Sequence, residues 1–212
     1  MGTDLLIGGT IGGWALERAD AADVAQVVTD DADLGRAAAA RGLPVRTSHD
    51  YAPSARGVSV HYQRIIPGAL IAAYEGLWNL HPGLLPFGRG MYPVFWALWE
   101  GTPAGATLHE LVEELDAGPI VAGTEVPVLS EDTGGALHAR VQEAEKALFD
   151  AYWPRIVAGD ALPSVAQPAG GTSHTRAEFS ALKEDGWRTL ADERLAHLER
   201  CLEFPGYAGL AR

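Results

Sequence analysis

Short apolar runs alternate with helical spacings through the first half of the chain. Strand-like stretches fall at Asp4–Gly8, Val24–Thr29, Pro44–Ser48, Val58–Tyr62 and Leu77–His81. Between them, the Ala-rich stretch Asp33–Arg41 stops at Gly42, and Pro67–Tyr74 can open a helix with proline in its first turn. Such alternation predicts an α/β fold, a mostly parallel twisted sheet with helices on both faces. Tyr92–Trp99 places Tyr92, Phe95, Trp96 and Trp99 at i, i+3, i+4 and i+7, the stripe of a helix facing a core. Ala106–Val112 and Ile120–Val128 then read as strands joined by the turn-rich ELDAGP. One long helix follows from Thr133 to about Ile156, capped by Asp132 or Thr133.

Two stretches depart from this rhythm. The link from the third to the fourth strand, His49–Gly57, is too short for a crossover helix, although nine extended residues reach about 30 Å. Ala158–Thr175 is rich in Gly, Ala, Pro and Ser and reads as a surface connection, followed by a helical pattern at Leu190–Leu202 closed by Phe204-Pro205-Gly206-Tyr207. The expected division is a core over residues 1–160 and a C-terminal extension over residues 161–212. That extension packs either on its own core or on a partner subunit, the second case being a homodimer.

Charge and composition narrow the function. The 212 residues carry a formal net charge of −12, with no run of Lys or Arg, so the chain lacks the basic stripe that tracks a polynucleotide. Small anionic ligands remain compatible, because a pocket can be positive in a negative protein. No stretch approaches the roughly 20 apolar residues of a membrane helix, and no basic leader precedes an apolar one, so a cytoplasmic protein without membrane partners is expected. The single Cys201 excludes a disulfide framework within the chain and reads as a small buried hydrophobe. No metal is expected, since the seven histidines show no H-E-x-x-H pair, and no G-x-S-x-G elbow supplies an activated serine.

The candidate chemistry lies in LWNLHPGLLPFGRG, Leu77–Gly90. Asn79 and His81 are two apart, so on a strand they share a face near its C-terminal end, where open parallel sheets bind ligands. Pro82-Gly83 then turns the chain away, leaving both polar side chains at a crevice. Taken alone they could equally be a hydrogen-bonded pair closing a strand. Asp116, in the ELDAGP turn, adds a carboxylate that can tune the charge state of a histidine, while an amide can donate to a developing oxyanion. Together the three suit acyl-type transfer in which no side chain is the nucleophile. GGTIGG, Gly8–Gly13, is either a phosphate cradle or a place where a helix packs closely on a strand; it lacks the full G-x-G-x-x-G order.

From Val58 to Ala158 the chain resembles the formyltransferases that use 10-formyltetrahydrofolate. The resemblance rests on QRIIP (Gln63–Pro67), NLHPGLLPFGRG (Asn79–Gly90), GATLHELVEELDAGPIV (Gly105–Val121) and the helix start with Asp132, Thr133, Leu137, Arg140, Val141 and Glu143. It implies a Rossmann-like fold with Asn79, His81 and Asp116 catalytic. Folate, the co-substrate, would be lined by Arg64, Ile65 and Ile66 and covered by the loop Val112, Glu113, Glu114, Leu115 and Asp116. Pro82, Gly83, Arg89 and Tyr92 would lie by the acceptor. Thr107 and His109 would be near the site, or simply structural. The FGRGMYPVFWALWEGTPAGATLH segment and the ending LERCLEFPGYAGL look most like enzymes that N-formylate nucleotide-linked amino sugars, with HPG in place of the commoner HPS. The acceptor implied is thus a small-molecule primary amine. Glycinamide ribonucleotide as acceptor, and water as acceptor in a 10-formyltetrahydrofolate hydrolase, are the alternatives; a binding protein without catalysis is a third.

Overall fold

The computed structural model describes residues 2–48 and 50–204; His49 of the short link and Pro205-Gly206-Tyr207 of the closing motif lie outside them. Five strands run parallel: β1 (Thr3–Ile7), β2 (Val24–Val28), β3 (Val45–Arg46), β4 (Arg56–Val60) and β5 (Gly76–His81). After the two-residue β6 (Arg89–Gly90) come β7 (Ala104–Glu110) and β8 (Ile120–Val126), which continue the sheet antiparallel. The sheet order is β3-β2-β1-β4-β5-β7-β8, and β6 pairs instead with β9 (Ser173–His174). The helices are α1 (Gly9–Arg18), α2 (Ala32–Ala40), α3 (Gly68–Ile71), α4 (Pro93–Glu100), α5 (Gly134–Ala158), α6 (Arg176–Glu184) and α7 (Asp192–Cys201).

Strand alternation decides which face each residue serves. Leu5, Ile7, Val27, Val58, Val60 and Leu80 point into the larger core, shared with α1, α4, α5 and α7. Leu6, Val28 and Leu77 point the other way, into a small cluster with Tyr51, Tyr62, Ile66, Ile71, Tyr74 and Leu111. That second face is covered mainly by loops and the single turn of α3. Asn79 and His81 lie on it, in phase with Leu77.

The short link between β3 and β4 is non-helical, and a buried carboxylate holds it. Asp4, fully buried on β1, accepts from Ser54 N at 2.9 Å, Gln26 Nε2 at 3.0 Å and the Tyr74 hydroxyl at 2.9 Å; Gln26 also donates to the Ala52 carbonyl. Burial, then the Asp4 charge, drive the Tyr74 phenol well above its usual range, so it stays a donor. A pinned extended link thus replaces the usual crossover helix, and the space such a helix would fill stays available to loops.

Several sequence expectations need correction. The third strand shrinks to Val45–Arg46, and the helix expected over Pro67–Tyr74 is a single turn, since Pro67 caps it and bends follow Ala72. The strand expected at Ala106–Val112 begins at Ala104 and ends at Glu110, because the chain leaves the sheet for the Asp116 turn. Tyr92 is not part of the helical stripe: it sits before α4 with φ +59° and is 37% exposed, whereas Phe95, Trp96 and Trp99 are buried as expected. α6 was not anticipated; its Thr175–Glu178 capping box lies in a polar stretch without an apolar lead. Ala158–Thr175 is more than a surface connection, as it contains β9 and a bridge from Val165 to Ile120.

Asp4→Ala takes the shared acceptor from three donors, two of them buried, and is expected to lower unfolding free energy by about 2–4 kcal/mol. Denaturant titration of the variant beside Asp4→Asn, which keeps an acceptor oxygen, reads the effect.

Candidate functional site

Antiparallel register builds the centre of the site. Asn79 on β5 sits opposite His109 on β7, and His81 opposite Thr107, so all four side chains share the thinly covered face. Asn79 Nδ2 lies 3.2 Å from His109 Nε2, while His109 Nδ1–H donates to the Glu110 carbonyl at 2.8 Å. With its Nδ1 protonated, His109 accepts from the amide at Nε2, which orients Asn79 and leaves the second amide proton available. Burial, then the neighbouring His81, push the His109 imidazole down to about 4, against the opposing pull of Asp116.

His81 is 4% exposed and donates from Nε2 to the Gly88 carbonyl at 2.8 Å. Its other nitrogen, Nδ1, faces Asp116 Oδ1 at 3.7 Å, and His109 Nε2 faces the same oxygen at 3.7 Å. Asp116 is 7% exposed; its Oδ2 accepts from Gly90 N at 2.8 Å, and its backbone is left-handed with φ +50°. A non-glycine residue there costs on the order of 1–3 kcal/mol and persists only when its surroundings hold it. Thr107 donates to the Gly83 carbonyl at 2.7 Å and accepts from Leu85 N at 3.1 Å, fixing the turn after His81. Gly83 is required at that turn: a Cβ there would lie 2.7 Å from His81 Nε2 and 3.0 Å from Gly88 O, between the ring and its acceptor. The HPG spelling therefore matches this placement of the imidazole.

The structure thus brings Asn79, His81 and Asp116 together, with His109 touching the first and facing the third. Around them, Ile65 is 90% exposed, Leu115 62% and Val112 36%, in two segments that meet where Gly68 approaches the Glu113 carboxylate. Ile66 and Leu111 pack in the small cluster beneath, and Glu114 closes the turn through its carbonyl to Ala117 N. The Arg64 side chain turns outward to Asp30 Oδ2 at 2.7 Å; Ser48 N–H, then Arg64, hold Asp30 down at about 2. Arg89 donates twice to Gln167 Oε1, at 3.0 and 2.6 Å.

A cavity of about 590 Å³ opens beside Pro82 and Tyr92. Phe95, Phe179 and Phe204 line it with His138, Arg176 and Lys183, and the Tyr92 ring lies tilted by 33° against Phe179 at 4.2 Å between centroids. A second cavity, about 380 Å³, lies at the carboxyl ends of β1 and β4 and is bordered by Gly8, Gly9, Asp30, Tyr62, Arg64 and Arg176. The GGTIGG glycines next to it admit close packing: a Cβ on Gly8 would strike the His61 carbonyl oxygen, and one on Gly12 would crowd Ile7 and Val60.

Sequence reasoning missed Gln167 and Thr172, which reach the site from the supposed connection. Gln167 Nε2 donates to the carbonyls of Asp116 and Gly118, both at 2.8 Å, and Thr172 Oγ1 accepts from Gly88 N at 2.8 Å. Nothing in local spacing marks them, since their partners lie 49 to 84 residues away. His109 and Thr107 did carry a signal, the period of two they share with Asn79 and His81.

The formyl transferase family model matches residues 13–152. The chain belongs to the formyl transferase family. It is 37% identical over 98 residues to the dTDP-4-amino-4,6-dideoxyglucose formyltransferase of Mycobacterium tuberculosis, a match spanning 44% of this chain and 42% of that protein, so less than half of that relative's length is matched. Its fold is shared by a sugar N-formyltransferase from Shewanella sp. FDAARGOS_354, with a TM-score of 0.84 at 22% identity over 99% of this chain and 91% of the other. An N-formyltransferase from Helicobacter canadensis, solved with folinic acid and dTDP-3-aminofucose, gives a TM-score of 0.81 at 17% identity over 99% and 83%.

In this member of the formyl transferase family the buried His109 makes stability depend on pH. Its folded value, about 4, lies below the ordinary 6.5, so the unfolded chain binds the extra proton between them. The contribution is complete above about 6.5 and is lost as pH falls through about 4. Denaturant midpoints followed down through that window should drop in the native protein, and the drop should be shallower in His109→Gln.

Proposed function

We propose that this protein transfers a formyl group from 10-formyltetrahydrofolate to the primary amine of a nucleotide-linked amino sugar. The observation that carries the reading is the convergence of Asn79, His81 and Asp116 at one crevice in a chain of this family. The exposed Ile65, Val112 and Leu115 support folate as co-substrate, because they are apolar side chains left without partners where a pteridine would lie. The step as written calls on no metal.

The neutral amine attacks the formyl carbon, forming the new C–N bond while the carbonyl oxygen takes up negative charge. Asn79, oriented by His109, donates its second amide proton to that oxygen, a contribution of roughly 3–4 kcal/mol for one preorganised donor. The proton lost by the amine passes to His81 Nδ1, which faces Asp116 Oδ1 at 3.7 Å. It then moves to the folate nitrogen as the old C–N bond breaks, so no oxidant or net proton is consumed. The buried carboxylate opposite His81 stabilises the imidazolium that exists in between.

The acceptor's nucleotide half is assigned to the cavity of about 590 Å³, where aromatic rings can hold a base and Arg176 and Lys183 can meet a diphosphate. Pro82, the residue directly after His81, borders this cavity. The buried free thiol of Cys201 and the lack, among the described residues, of a helix able to cross a membrane are compatible with the cytoplasm as the place of work.

A panel of nucleotide-linked amino sugars and glycinamide ribonucleotide, incubated with 10-formyltetrahydrofolate, is expected to show one formyl mass gained on a sugar nucleotide. Asp116→Asn and His81→Asn are expected to lower turnover by about 10²–10⁴ while the protein stays folded. Near-native turnover in either, or formate release without any amine, overturns the assignment. Phe179→Ala, which removes a wall of the aromatic cavity, is expected to raise the acceptor KM about tenfold and leave the folate KM unchanged. Initial rates with each substrate varied in turn separate the two constants.

A further inference from the structure

The strained Asp116 is gripped by a residue about fifty positions later, one that no feature of the proposed chemistry uses. We infer that Gln167 is a positioning residue that holds the Asp116 carboxylate against His81 by clamping the backbone of its turn. The inference rests on the proposed role of Asp116, and on four hydrogen bonds from one side chain. Gln167 Nε2 spends both protons on the carbonyls of Asp116 and Gly118, at 2.8 Å each. Its Oε1 takes both donations of Arg89, at 3.0 and 2.6 Å. One planar amide thereby links the Asp116 turn to β6, whose Gly90 N–H holds the carboxylate from the other side.

Every hydrogen-bonding position of this amide is used, so its orientation is defined without ambiguity. The segment carrying it is itself tied at both ends. Val165 exchanges two backbone bonds with Ile120, at 2.8 and 2.9 Å; Thr172 O and His174 O accept from Arg89 N and Met91 N, at 3.0 and 2.8 Å. A left-handed non-glycine backbone reverts to an ordinary conformation unless its surroundings forbid it, and the paired carbonyl bonds supply that restraint. Once released, the turn would rotate, and the carboxylate would leave both Gly90 and His81.

Gly90 N–H provides a reporter that needs no turnover, because its acceptor is the Asp116 carboxylate, whereas Arg89 and Met91 N–H bond to the segment backbone. In Gln167→Ala, hydrogen exchange at Gly90 is expected to accelerate at least about tenfold with Arg89 and Met91 retaining their protection. Turnover is expected to fall about tenfold or more while both KM values stay within about threefold, the mark of lost positioning rather than lost binding. Gln167→Glu keeps the grip on Arg89 but sets an anionic oxygen against two carbonyls, and should match Gln167→Ala in both measurements. Unchanged exchange at Gly90, equal loss of protection at Arg89 and Met91, or native turnover in Gln167→Glu each overturns the inference. If the native protein formylates no amine, the functional reading fails, and the exchange at Gly90 still decides whether Gln167 positions Asp116.

Discussion

A carboxylate that is only 7% exposed must recover from fixed partners what it gives up in water, and the hydrogen-bond donor that meets the Asp116 carboxylate is a backbone N–H of β6. Gly90 supplies an N–H at 2.8 Å, while His81 and His109 face one oxygen at 3.7 Å each. The two imidazoles are not equivalent partners. His109 is kept neutral by burial, and its bond to the Glu110 carbonyl fixes its one proton on Nδ1, so it can orient Asn79 but not share the proton. His81, with Nε2 held by Gly88, keeps Nδ1 toward the carboxylate. One histidine is thereby fixed as scaffold, and the other keeps a ring nitrogen toward the carboxylate.

What could be read from the chain follows the range of the interactions involved. Asn79, His81 and the strand that bears them were legible because a period of two and a Pro-Gly stop are local signals. The core stripe of α4 and the extent of α5 were legible for the same reason. The neutral state of His109 was not, since it depends on which residue β7 sets opposite Asn79. The covering of the site by residues 165–174 was invisible, because Gly, Ala, Pro and Ser describe a loop equally well whether it wanders or is tied down. Tyr92 shows a third kind of failure: its spacing fits a helix, but Pro93 can open a helix as its first residue, so the residue before it falls outside.

The unequal covering of the sheet explains why the site lies where it does. A conventional crossover helix between β3 and β4 would lie on the face that carries Asn79 and His81. The extended link, fastened by Asp4 through Ser54 and Gln26, is thinner, and α3 contributes only a single turn. Loops 62–66 and 111–115 therefore meet over the end of β5 with Ile65 and Leu115 still exposed. A buried structural carboxylate on β1 thus bears on the room available around a second carboxylate at the other end of the sheet.

Charge placement bears on how a chain of net charge −12 would take the anionic acceptor proposed for it. A cation paired with a carboxylate adds little field, and Arg64, held by Asp30 at 2.7 Å, is of that kind. Arg89 is different: its recorded partner is the neutral amide of Gln167, which satisfies its donors without cancelling its charge. Arg176 borders both cavities, so one guanidinium serves the mouth of each. In an acidic protein, cations left uncompensated at one crevice act over short range, because the surrounding carboxylates repel anions everywhere else. The same arrangement that positions Asp116 through Gln167 therefore also leaves a positive charge next to the site, and an anionic acceptor would be drawn to this crevice rather than to the protein at large.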